Sequence, residues 1–123
     1  MPRWIALQAA TMAVVAIASC AARLTPSAPV VTPRGVRFLL ARPSASGVAV
    51  AGSFNGWSTA SHPMALTAAD GLWEVVVSLP PGEHLFMFVV DGTEWVSPPQ
   101  AEAYADDGFG SRNGVVVIRP AEQ

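Results

Sequence analysis

From Val36 onward the chain is a series of short apolar runs, each broken by turn chemistry before it grows long. "VRFLLARP" and "VAVAG" are separated by "PSASG". Asp70-Gly71 leads into "LWEVVVSL", where Trp73, Val75, Val77 and Leu79 share one face while Glu74 and Ser78 take the other. "PPGE" turns the chain into "HLFMFVV", and Asp91-Gly92 turns it again toward "TEWV". A loop, residues 97–113, then leads to a closing run, "GVVVI". No convincing amphipathic helix follows residue 20. About seven strands joined by short turns predict an all-β fold, an immunoglobulin-like antiparallel β-sandwich. The expected core is Phe38, Leu40, Val48, Val50, Trp73, Val75, Val77, Phe86, Phe88, Val116 and Ile118, with Phe54 packed inward beneath its loop.

The N-terminal segment has a different composition. Arg3 is followed by an uncharged, mostly apolar run that is short for a membrane span of about 20 residues. A basic start, a short apolar run and small residues describe a secretory signal peptide. It ends in "IASC", which resembles the lipobox of bacterial lipoproteins: Ile17, Ala18, Ser19, then Cys20. That resemblance implies a signal peptide over 1–19, with Cys20 lipidated as the mature N-terminus. The alternative is an ordinary signal peptide in which Cys20 is incidental. Cys20 is the sole cysteine, so no disulfide within the chain can form and the domain must stand on packing. Residues 20–35 carry Pro26, Pro29 and Pro33 and read as a tether, extended enough to hold a domain about 40 Å from a membrane. The domain is expected over 36–123. The implied location is the bacterial cell envelope, with a lipid anchor at the outer membrane or periplasmic face.

Charge narrows the partners. The full chain has seven Lys plus Arg, all of them Arg, against nine Asp plus Glu. This mildly negative balance, with arginines scattered, argues against a nucleic-acid partner. No cofactor is expected. His62 and His84 lie far apart without a neighbouring Cys or paired acid, which gives little basis for metal or acid–base roles. Asp106 and Asp107 in "YADDGFG" lack the spaced oxygen ligands of a calcium loop and read as a solvated loop. No nucleophile–base pair or phosphate loop is present, so the expectation is a non-enzymatic module.

Three blocks carry a specific resemblance: "VAVAGSFNGWS", "DGLWEVVVSLPPGEHLFMFVVDG" and "GSRNGVVVI". In this order and spacing they are similar to carbohydrate-binding module family 48. That family includes the glycogen-binding domain of the AMP-activated protein kinase β subunit and the N-terminal domains of isoamylases and branching enzymes. The resemblance covers about residues 36 to 118. It implies that α-1,4-glucan lies across two indoles, which fall on Trp57 and Trp95, and that a loop amide, Asn113, bonds sugar hydroxyls. Where the glycogen-binding branch has a sugar-bonding lysine, this sequence has Met87, which packs but donates no hydrogen bond. Ser111 and Arg112 complete the expected ligand-binding set, with Arg112 considered as a replacement donor.

The chemistry agrees with the resemblance. A glucose ring has an apolar C–H face and a rim of hydroxyls, so it stacks on an indole while amides take the rim. With so few contacts, affinity is expected in the millimolar to micromolar range, about −4 to −8 kcal/mol. Each residue also has a purely structural reading. Trp57 would plug the core beneath its loop, Trp95 would be an ordinary strand aromatic, and Asn113 would cap a turn with Gly114. The second functional reading is an immunoglobulin-like interaction or structural module that has lost sugar, its protein partner unknown.

Overall fold

The structure, a computed structural model, describes residues 24–67 and 70–120. The described residues hold nine strands and no helix: β1 (Val30–Thr32), β2 (Gly35–Ala41), β3 (Val48–Gly52), β4 (Ala65–Leu66), β5 (Leu72–Val77), β6 (Gly82–Val90), β7 (Glu94–Val96), β8 (Ala103–Asp106) and β9 (Arg112–Ile118). They form two antiparallel sheets, ordered β1-β2-β5-β4 and β3-β6-β9-β8, with β7 also paired to β6. The expected β-sandwich is the observed fold.

Alternation along the strands builds the core. Val36, Phe38 and Leu40 of β2 and Trp73 and Val77 of β5 meet Val48 and Val50 of β3, Phe86, Phe88 and Val90 of β6, and Val116 of β9. Val75, Ile118 and Phe54 pack partly buried against this cluster. Phe38 meets Phe86 edge-on at 5.0 Å between ring centroids, and Phe86 meets Phe88 at 5.7 Å. Burying each such ring contributes about 1.5–3 kcal/mol. Trp73 is buried, and its indole N–H donates to the Arg42 carbonyl at 3.0 Å, which satisfies its one polar atom. Gly114 is imposed by this packing, because a Cβ there would stand 2.6 Å from the Phe86 ring.

Four features lie outside the expected strands, one of them the short strand Ala65–Leu66 on the edge of β5. Val30–Thr32, within the stretch read as a tether, pairs with the start of β2. A turn at Pro33-Arg34 closes this hairpin, and the Thr32 hydroxyl accepts from the Arg34 N–H and donates to the Gly35 carbonyl. The Ala103–Asp106 segment adds a strand inside the long loop expected over 97–113. Met64 joins the core because residues 62–64 pair with the outer edge of β3, where Val50 N–H reaches the His62 carbonyl and Met64 N–H reaches that of Val48.

The feature that positions the site is the long strand β6. One edge carries β3, paired from Phe86 to Val90. The other edge is shared: β9 takes Gly82 to Phe86, and β7 takes Phe88 to Val90. Met87 falls at the changeover.

Candidate functional site

Strand alternation lays the floor. Phe86, Phe88 and Val90 point into the core, so Leu85, Met87 and Val89 point the other way. Register places Ala51 of β3 opposite Met87, and Trp95 of β7 opposite Val89. Gly114 pairs with Phe86, which puts Asn113 one step further on, beside Met87, where β9 gives way to β7. Ala105 of β8 lies opposite Asn113. Together with the loops on either side, this face forms an open groove of about 560 Å³, lined by Trp57, Met87, Trp95, Asp107, Phe109, Ser111 and Asn113. That volume suits a small ligand.

Trp57 enters from the loop after β3, and Asn55 ties that loop down. The Asn55 side-chain oxygen accepts from Gly52 N–H at 3.0 Å and Ser58 N–H at 3.2 Å. Its amide nitrogen donates to the Val50 carbonyl at 3.1 Å and lies 2.8 Å from His62 Nδ1. The Gly52 carbonyl takes the N–H groups of both Asn55 and Trp57. This network holds Trp57 at φ 59°, a left-handed backbone that costs a bulky residue about 1–2 kcal/mol. Beneath it Phe54 stacks on Phe38 at 5.9 Å and meets His62 and His84 edge-on. Phe54 thus belongs to the fold, while Trp57 stands outside the core and lines the groove.

Trp95 stands on the opposite bank, 44% exposed. Its hairpin is anchored twice: Asp91 Oδ1 accepts from the N–H groups of Ser46 and Gly47, and Glu94 pairs with Arg42 at 2.6 Å. Asn113 is only 8% exposed, yet no protein hydrogen bond to its side-chain amide is found among the described residues. The residue is largely buried, but its amide is not enclosed: it opens onto the groove with hydrogen-bond capacity that water or a ligand can use. Asn113 and Gly114 both lie within β9, so Asn113 is a strand residue and caps no turn.

Of the third wall, from the β8–β9 loop, Ser111 was expected, whereas Asp107 and Phe109 were not. Asp106 Oδ1 accepts from Gly108 N–H at 2.8 Å, and Asp107 Oδ1 accepts from Phe109 N–H at 2.7 Å and Ser111 N–H at 3.1 Å. Both carboxylates therefore cap loop amides. Gly108 and Gly110, at φ 79° and 89°, bend the chain so that Phe109 stands 94% exposed at the tip. The available signal was the pattern itself, an aromatic residue inside a run of turn formers, as in "GSFNGWS".

Of the expected set, the structure brings Trp57, Met87, Trp95, Ser111 and Asn113 together. Arg112 it does not. Alternation along β9 turns it to the other face, where its guanidinium sits 4.6 Å over the Tyr104 ring. Met87, 7% exposed, serves as floor. Cys20 lies outside the described residues. Among the described residues no three His, Cys, Asp or Glu side chains converge on a metal position.

A family model described as the glycogen recognition site of AMP-activated protein kinase matches residues 41–123, a span that takes in every residue lining the groove. The chain belongs to this family. Similar curated proteins are 1,4-alpha-glucan branching enzymes GlgB. That of Pseudomonas syringae pv. tomato is 40% identical over 72 residues, 58% of this chain and 10% of the enzyme. That of Mycobacterium ulcerans is 37% identical over 71 residues, again 58% of this chain and 10% of the enzyme. The Xanthomonas axonopodis pv. citri enzyme is 48% identical over 52 residues, 42% of this chain and 7% of the enzyme. The chain thus spans about a tenth of the length of these relatives.

Proposed function

We propose that this glycogen-recognition domain binds α-1,4-linked glucan in the groove, without catalysing a reaction on it. The observation that carries the reading is the groove, which brings two indoles, Trp57 and Trp95, together with the Asn113 amide, to which no protein hydrogen bond is found among the described residues. Sugar rings stacking on the indoles would bring hydroxyls within reach of that amide and of Ser111. Membership of the family and the glucan in the relatives' names support the same ligand class. Tryptophan fluorescence and calorimetry of the purified protein with maltoheptaose, β-cyclodextrin and glycogen test it. Saturable binding between micromolar and millimolar is expected, and no response at several millimolar sugar would sink the proposal.

A second reading, a sugar-inactive interaction module, is favoured by the apolar character of the groove. Met87 offers no donor, and Phe109 exposes nearly its whole ring. We further propose, from residues 1–20, that the domain is displayed from the bacterial envelope by a lipid on Cys20. Clustered anchored copies facing a polymer would offset weak single-site affinity through multivalency.

A further inference from the structure

Resting on the glucan reading, we infer that Asp107 sorts the groove's ligands by charge. It admits sugar rings that are neutral or carry an ammonium group, and turns away rings that carry phosphate or carboxylate.

Asp107 is the single charged side chain among the residues that line the groove. The carboxylate is tied to the loop, because its Oδ1 accepts from the N–H groups of Phe109 and Ser111. Among the described residues no cation balances it within the groove. The chain has no lysine. Arg112, next to Asn113, is turned to the other face and occupied by Tyr104. Arg42 is held by Glu94, and Arg37 lies in the other sheet against Glu74. The three aromatic residues of the lining supply no cation of their own. A phosphorylated glucan entering here would meet a negative charge with no donor cation. A ring with an ammonium substituent would meet its counter-charge.

Calorimetry on the purified full chain tests this with three ligands: maltoheptaose, maltoheptaose phosphorylated at C6, and 6-amino-6-deoxymaltoheptaose. At low ionic strength the phosphorylated ligand should bind about 10–100-fold more weakly than the amino ligand, since the two differ by nearly three charges, each solvated and near contact range. The ratio should collapse toward one at about 0.5 M salt, where the Debye length is near 4 Å. It should also collapse in D107N, which keeps the Oδ1 acceptor and so the loop. Should D107N lower the thermal midpoint, the salt titration of the unaltered chain carries the same test. Equal affinities for the charged ligands at low salt overturn the inference and leave the glucan reading standing, as does a ratio that survives D107N. Binding of the amino ligand without maltoheptaose keeps charge sorting and removes neutral glucan. No binding of any ligand removes both.

Discussion

Trp57 sits in a left-handed backbone that glycine adopts freely and an indole does not. Strain of this kind persists where the surroundings over-determine it, and it collects at functional sites. Trp57→Gly should therefore separate binding from stability. The thermal midpoint is expected to stay within about 3 °C, because the relieved backbone offsets lost packing, while glucan affinity falls at least about tenfold in a fluorescence titration. A fall in midpoint of more than about 10 °C would place the indole in the core. Asn113→Ala gives a complementary signature. Removing an amide to which no protein hydrogen bond is found should leave the midpoint within about 3 °C, yet weaken glucan binding about 5–10-fold by calorimetry. At this scale the sequence is informative about type. Indoles and an amide are the groups a sugar needs, and it was the resemblance to carbohydrate-binding module family 48 that named Trp57, Trp95 and Asn113. It is poor on direction: Arg112 and Asn113 are neighbours, and only the register of β9 decides which of them faces the groove.

The loop between β3 and β4 works as one unit around Asn55, which does not line the groove but bonds four groups within or beside the loop. Asn55→Ala is expected to cost about 2–3 kcal/mol, since it deletes several hydrogen bonds at once and leaves the Gly52 N–H short of its partner. It should also lower glucan affinity by releasing Trp57 from its fixed backbone. Denaturant unfolding and titration of the same variant check both effects, and an unchanged affinity would show that Trp57 is positioned by other contacts. Runs such as "VAVAG", "LWEVVV" and "GVVVI" are legible as strands because β-branched and aromatic residues crowd them between turn formers. The short edge strands are not. Val30–Thr32, Ala65–Leu66 and Ala103–Asp106 are strands because a longer neighbour lends them hydrogen bonds, and two to four residues carry no period of their own.

Across the molecule, one face of the five-stranded sheet packs the core and the other carries the groove, so binding and folding draw on opposite sides of the same strands. That division is why indole substitutions can spare stability. The N-terminal segment enters the four-stranded sheet at Val30, which leaves residues 20–29 as the length available to a tether. The proposed anchoring predicts that Cys20→Ser shifts the protein from the membrane fraction to the soluble fraction and abolishes palmitate labelling. Retention of both in that variant would exclude a lipid on Cys20.

The sandwich and its aromatic core were legible because alternation and turn residues are local properties, and the chemistry of the binding set was legible because sugar recognition uses few side-chain types. Tertiary structure decided the rest. The sharing of one β6 edge by β7 and β9 sets Met87 and Asn113 side by side, turns Arg112 away, and lets the β8–β9 loop bring Phe109 and Asp107 over the same floor. These are consequences of pairing between strands far apart in the chain, and no local pattern encodes which edges will meet.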